Sequence, residues 1–208
     1  MIAPKALIFD CDGTLALTAD LHFTAFQAAL ALQGQTMSRV WYEARTGLAR
    51  HDLFAALQAE TGAPLDLDRA VADSIALTLT GTQVCRPNPP VADLARRWQG
   101  HPIAVASNAE APVVDAVLRA CDLRGLFDLV ITLTEAGRAK PDPAMFLMAA
   151  KGLGHDPADC LVLEDSAQGM EAARRAGIPA LDVREADALA HLAQIAPQDS
   201  ARNPKATL

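Results

Sequence analysis

The stretch ALIFDCDGTL, residues 6–15, ends a short apolar run in two acids, Asp10 and Asp12, with Gly13 directly after them. In an extended chain, positions i and i+2 point to the same side. The two carboxylates are therefore expected to converge, and their like charges to repel unless a cation lies between them. Further chemistry-bearing residues follow later apolar runs. Ser107 and Asn108 come after IAVA, Lys140 stands before Pro141, and Glu164, Asp165 and Ser166 come after LVL. Carboxylates gathered in one place call for a hard divalent cation, and oxygen ligands with water suit Mg2+. Asp10 and Asp165 are the expected ligands, with Glu164 ligating or orienting water. The Ser107 hydroxyl and the N–H groups of the helix behind it suit a phosphate oxygen. Lys140 is a point charge able to hold a phosphate beside an ionised nucleophile. A carboxylate nucleophile splits phosphoryl transfer into two steps through an aspartyl-phosphate.

These groups meet only if the fold places them together. Five apolar runs, 6–9, 103–106, 129–133, 161–163 and 179–183, read as buried strands, and apolar spacing of three and four predicts helices over 110–121, 143–152, 167–176 and 187–195. Strands alternating with helices predict an α/β fold, a doubly wound, Rossmann-like parallel sheet covered on both faces. Ligands in such sheets bind beyond the C-terminal strand ends, where all of these residues fall. About ninety residues separate the first two strands, far more than a crossover helix needs. Helical stretches at 19–33, 38–46, 50–61 and 66–80 fill this interval. The expected organisation is a core of 1–16 and 84–196, an inserted α-helical cap over 17–83, and a polar, frayed tail over 197–208. The prolines of RPNPP, 86–90, are expected to stiffen the return linker.

Composition narrows the partners. The chain has 208 residues, 51% hydrophobic and 21% charged, with a net charge of −7 and no basic run. This argues against nucleic acid. The partner expected from the phosphate-suited groups above is a small phosphorylated metabolite. Apolar runs fall short of the roughly 20 residues that span a bilayer, and the start lacks signal-peptide features, so a cytoplasmic protein without a membrane partner is expected. Cys11, Cys85, Cys121 and Cys160 form no CxxC pair, so reduced thiols are expected, with Cys11 facing the core. A monomer or weak homo-oligomer is the expected state.

DCDGT, SN, KPDP and EDS, in this order, resemble the four motifs of the haloacid dehalogenase-like superfamily of phosphohydrolases. The helical insert resembles the cap of the beta-phosphoglucomutase-like subgroup. PPVADLARRWQGHPIAVASNAE and AGIPALDV are most like the small sugar-phosphate phosphatases typified by fructose-1-phosphate phosphatase. The resemblance implies Asp10 as nucleophile and Asp12 as the acid and base that serves leaving group and water. It implies Ser107, Asn108 and Lys140 at the phosphoryl group. Magnesium is then held by Asp10, the Asp12 carbonyl and Asp165, with Glu164 close by. His22 in ADLHF matches a histidine that poises the acid/base carboxylate, and Gly47 and Arg50 in TGLARHD match a cap loop over the substrate. The family usually continues DGT-Leu-x-Asp-Thr; Leu17 replaces that second Asp here, which bears on the hinge more than on the chemistry.

Blander readings compete. Asp-Gly is a turn signal, Ser107-Asn108 caps a helix, and Glu164-Asp165 suits a helix N-terminus. Lys140 could be a solvated loop lysine, His22 a packing residue, and Arg50 a surface arginine. Four motifs in order outweigh the set. The lysines, Lys5, Lys140, Lys151 and Lys205, leave the insert without one. A cap Schiff base is thereby closed off, and a hexose-phosphate mutase, which uses a cap lysine for the far phosphate, becomes the alternative rather than the main reading. Asp12 favours a phosphate ester over a halide, because an alkoxide needs a proton. A receiver-like signalling protein or a non-catalytic phosphate binder is the alternative of another class. The arginines of the insert, Arg39, Arg45, Arg50 and Arg69, are expected to set substrate choice.

Overall fold

Alternation along the strands assigns each side chain to one of two faces. Leu7, Phe9, Ile103, Val105, Leu161 and Leu163 turn to one side of the sheet, and Ala6, Ile8, Ala104, Ala106 and Val162 to the other. This is the period-2 rule acting on strands buried on both faces. The structure, a computed structural model, describes residues 4–197. In chain order the elements are β1 Ala6–Phe9, β2 Ala16–Leu17, α1 Ala19–Ala31, α2 Arg39–Glu43, α3 Arg50–Thr61, α4 Leu67–Gly81, β3 Arg86–Pro87 and α5 Pro89–Arg97. There follow β4 Ile103–Ser107, α6 Ala111–Ala120, β5 Leu129–Thr132, α7 Leu133–Ala136, α8 Ala144–Gly152, β6 Cys160–Glu164, α9 Ala167–Ala176, β7 Ala180–Asp182 and α10 Ala186–Leu192.

The main sheet is parallel, in the order β5-β4-β1-β6-β7. The chain leaves β1 for β4 and β5 on one side, then returns to β6 and β7 on the other. Strand order therefore reverses at β1, and the crevice beyond its C-terminal end is the position where doubly wound sheets bind ligands. Helices α5, α6 and α10 pack on one face through Val91, Leu94, Val113, Val117 and Leu192. Helices α8 and α9 cover the other through Met145, Phe146, Ala172 and Ala176. Trp98, fully buried after α5, satisfies its indole N–H by donating to the Pro102 carbonyl at 3.1 Å.

Helices α1 to α4 form a layer with a core of its own, built on Phe26, Leu30, Tyr42, Leu53, Phe54 and Leu57. Its edge-to-face ring pairs, Phe26 with Tyr42 and Phe26 with Phe54, lie 5.8 and 5.4 Å apart. The layer leaves and rejoins the sheet side at the β2–β3 ribbon, where Leu17 pairs with Arg86 and is exposed.

Several expectations change in detail. The ribbon was not legible, because two residues per strand carry no period. Helix α5 replaces the expected linker: Pro89 and Pro90 occupy its first turn, where a missing N–H leaves no bond unmade. The third strand stops at Thr132 rather than 133, because the Thr132 side chain caps α7 in a reciprocal box with Glu135. Helix α2 ends at Glu43 rather than 46, and α10 at Leu192 rather than 195. All four cysteines are free and buried, Cys11 inside the sheet core as expected. Of the expected tail, Pro197 alone is described; residues 198–208 lie outside the described residues.

Candidate active site

Lys140 lies at the centre of a buried charge cluster beyond the β1 end. Its ammonium donates to Asp10 Oδ1 at 2.6 Å and to Glu164 Oε2 at 2.7 Å, and it lies 4.8 Å from the Phe146 ring centroid. All three residues are buried. The positions follow from strand register. Phe9 pairs with Leu163, and the Asp10 N–H donates to the Leu163 carbonyl at 2.9 Å, so Asp10 and Glu164 leave adjacent strands side by side. Lys140 is placed from its other side, where its main-chain N–H donates to Asn108 Oδ1 at 2.8 Å.

Glu164 has both oxygens engaged. Oε2 takes Lys140, while Oε1 accepts from the Ser166 N–H at 2.9 Å and the Ser166 hydroxyl at 2.8 Å. Ser166 also caps α9 by accepting from the Gly169 N–H. A Cβ at Gly169 would lie 1.9 Å from Glu164 Oε2, so only a glycine admits the glutamate here. Asp165 takes the Thr14 hydroxyl on Oδ1 at 3.0 Å. Oδ2 of Asp10 and of Asp165 has no hydrogen-bond partner among the described residues.

One oxygen each of Asp10, Glu164 and Asp165 lie within 4.8 Å of one another. The surroundings of Asp10 and Asp165 are short of positive charge. Burial first, then Glu164, pushes the Asp10 carboxyl well above its ordinary range against the pull of Lys140. Burial and Glu164 likewise push Asp165 up to about 7. Burial works against the Lys140 ammonium, yet Asp10 and Glu164 hold its pKa above the usual range. One ammonium thus faces three carboxylates. Hard oxygen donors, two uncommitted carboxylate oxygens and missing positive charge fit a hard divalent cation.

Asp12 reaches the same cavity as Asp10 but not the three-acid cluster. The strand ends at Phe9 and the chain turns through residues 11–15, so the same-side rule for extended backbone no longer applies. Asp12 Oδ1 meets His22 Nε2 at 2.8 Å. Burial alone would raise the Asp12 carboxyl; the His22 ring, the Thr18 hydroxyl and Arg50 outweigh it and hold it below its ordinary range. His22 packs on Phe26, and its Nδ1 is buried without a partner.

The remaining expected residues also reach this cavity, which is lined by Ser107, Asn108, Gly47 and Arg50 as well as by the acids. The Ser107 Oγ accepts from the Ala109 N–H at 3.1 Å, leaving its proton free to donate. Asn108 joins the two layers, donating from Nδ2 to the Gly47 carbonyl at 2.8 Å. Gly47 has φ +91°, and a Cβ there would fall 2.4 Å from that of Ser166, so only glycine lets the loop touch α9. Arg50 is buried rather than a surface residue. Thr14, Thr18, Gly169 and Glu110 were missed. A glycine inside the α9 pattern was the one signal available, since it costs about 1 kcal/mol against alanine.

Residues 4–177 match the family model described as haloacid dehalogenase-like hydrolase. Fructose-1-phosphate phosphatase YqaB of Escherichia coli (strain K12) is 33% identical over 86% of this chain and 95% of its own. Protein CbbY of Rhodobacter capsulatus is 33% identical over 84% of this chain and 82% of its own. A crystal structure of CbbY from Rhodobacter sphaeroides, a mutant in complex with xylulose-(1,5)bisphosphate, superposes with a TM-score of 0.78 at 28% identity, covering 85% of this chain and 84% of that one. The chain belongs to the haloacid dehalogenase-like hydrolases.

Proposed function

We propose that this hydrolase is a magnesium-dependent phosphatase of a small sugar phosphate, working through an aspartyl-phosphate on Asp10. The observation that carries the reading is the buried Lys140 between Asp10 and Glu164, with one Asp10 oxygen left unbonded in the cavity. The free oxygen attacks phosphorus in line with the departing alkoxide. Lys140 orients Asp10 and offsets charge on the phosphoryl oxygens. The Ser107 hydroxyl and the Asn108 main-chain N–H take those oxygens, because the Asn108 side chain is already committed to Gly47 and Lys140.

Asp12, held by His22, gives a proton to the leaving alkoxide and then takes one from the water that hydrolyses the aspartyl-phosphate. Against its burial, His22, Thr18 and Arg50 hold the Asp12 carboxyl below its ordinary range, which favours the ionised form the base step needs, so the acid step requires substrate to bind with Asp12 protonated. Asp10, the Asp12 carbonyl and Asp165 would hold magnesium, which when bound neutralises charge between nucleophile and phosphate. We assign Glu164 to Lys140 rather than to the metal, since both its oxygens are taken.

Residues 17–83 act as a cap in this reading, and the cavity of about 140 Å³ between the layers suits a small metabolite in a cytoplasmic setting. No helix among the described residues is long and apolar enough to cross a membrane. The test is phosphate release from a panel of sugar and polyol monophosphates, with magnesium or with chelator. Glucose 1,6-bisphosphate is added to one arm to reveal mutase turnover. Magnesium-dependent release is expected. Absence of release from every ester, p-nitrophenyl phosphate included, overturns the reading.

A further inference from the structure

Two arginines reach the cavity from the helical layer, and neither is free. Arg50 opens α3 and is 4% exposed. Its Nε donates to both oxygens of Glu110, at 3.3 and 3.2 Å, and its Nη1 to the Ser74 and Thr78 hydroxyls at 3.2 and 3.4 Å. Its guanidinium also lies over the Phe26 ring, 4.8 Å from the centroid. Arg45 donates to Glu60 at 2.7 Å and to the Trp41 carbonyl at 3.1 Å, and covers the Trp41 ring.

The other basic groups of the cavity, Lys140 and His22, are held by Asp10 with Glu164 and by Asp12. Among the described residues, every basic side chain lining the cavity therefore has a carboxylate partner. Glu110 matters most, because it stands at the N-cap position of α6, only three residues beyond Ser107, with its carboxylate turned to Arg50. One loop thus carries a phosphate-facing hydroxyl and a carboxylate. The Glu110 side chain keeps 18% exposure beside its arginine.

We infer that the Glu110–Arg50 pair is a charge filter that admits monophosphates with an uncharged remainder and rejects bisphosphates. This rests on the phosphatase reading. A second phosphoryl group would meet the Glu110 carboxylate and no unpaired cation. To gain Arg50 it would have to break the pair and leave Glu110 part-buried and uncompensated, which is strongly unfavourable. A sugar hydroxyl faces no such conflict. A carboxylate offers about four lone-pair sites, and Arg50 occupies two of them.

The test compares kcat/KM of the magnesium-loaded full chain for fructose 1-phosphate and fructose 1,6-bisphosphate, and for glucose 6-phosphate and glucose 1,6-bisphosphate. The wild type is expected to favour whichever monophosphate it accepts by at least about tenfold, a lower bound for like-charge juxtaposition. Glu110→Gln, which frees Arg50, should narrow that ratio about tenfold, chiefly through the bisphosphate KM. Glu110→Asp keeps the charge and should preserve the preference for the monophosphate. Should Glu110→Gln not fold, the wild type still reports: its inhibition constant for the bisphosphate should exceed the monophosphate KM about tenfold. Equal turnover of both substrates, or an unchanged ratio in a folded Glu110→Gln, overturns the filter while p-nitrophenyl phosphate turnover leaves the phosphatase standing. Loss of all wild-type turnover overturns both.

Discussion

The sheet side of the cavity and the helical side hold their charges by different means. On the sheet side, one lysine serves two carboxylates, and a third carboxylate stands by with an uncommitted oxygen. The charges do not balance, and the raised carboxyls of Asp10 and Asp165 record it. On the helical side each cation is matched: Arg50 by Glu110 and Arg45 by Glu60. A region left short of positive charge is prepared for a cation and a phosphoryl group. A region already neutral is prepared for hydroxyls and apolar surface. Chemistry and selectivity are thus expected to separate along the interface between the layers.

The sharpest way to break this comparison is on the sheet side. Asp10→Asn removes the proposed nucleophile without changing its size and should abolish turnover of every substrate while leaving the circular dichroism spectrum and melting temperature close to the parent. Undiminished phosphate release would end the assignment. Asp12→Ala should slow turnover by about 10²–10⁴, the range for losing a general acid and base. A burst of phosphorylated protein under single-turnover conditions would show which of the two steps suffers more, and a variant as fast as the parent would count against the role.

Gly169→Ala tests the support rather than the reactants. Its methyl would drive Glu164 from its place and release Lys140, at a cost of about 1–3 kcal/mol in stability, typical of overpacking. We expect kcat to fall at least tenfold, read together with a lowered melting temperature; unchanged kcat would detach Glu164 from catalysis. Arg50→Ala should do less to p-nitrophenyl phosphate than to the ranking of sugar phosphates, because its side chain bonds to Glu110, Ser74 and Thr78 and to none of Asp10, Asp12 and Lys140. An unaltered ranking would deny the helical layer its part through this residue.

The smallest expected effect is one of pH. Burial and Glu164 raise the Asp165 carboxyl from 3.8 to about 7. Between these values the metal-free folded chain keeps a proton that the unfolded chain releases. Its stability contribution from this group therefore declines as pH rises from about 4 to about 7, and levels off above. Magnesium requires the ionised form, so its binding releases that proton and strengthens with pH over the same window. The rise in melting temperature on adding magnesium should accordingly be larger at pH 7.5 than at pH 5.5. Equal shifts at both would place the cation elsewhere.

Legibility from sequence also differs between the two sides. Asp10, Ser107, Glu164 and Asp165 stand at or next to strand ends, with Lys140 in the loop between α7 and α8 beyond β5, and a parallel sheet brings strand ends together whatever the details of packing. Their types and order therefore announced a site before any coordinates did. The helical side gave less away. Arg50 was legible as an arginine but not as a buried one, because its burial depends on Phe26, Ser74 and Thr78 from two other helices. Glu110 gives no signal in the sequence, since an acid at the start of a helix is a position the helix dipole favours by itself. Asp12 was legible both as a neighbour of Asp10 at one cavity and, through the resemblance, as the partner of His22; the turn after Phe9, which keeps it out of the three-acid cluster, was not legible.

The order of apolar runs and the residues that end them determined by themselves that this chain forms a doubly wound sheet with an acid-rich rim, since strand period and chain connectivity are local properties. Which oxygens stay unbonded, which cations are cancelled and where the helical layer touches the sheet were decided only in three dimensions. Those outcomes depend on side chains distant in sequence competing for the same partner, as Lys140 is shared by Asp10 and Glu164 across 130 and 24 positions of chain.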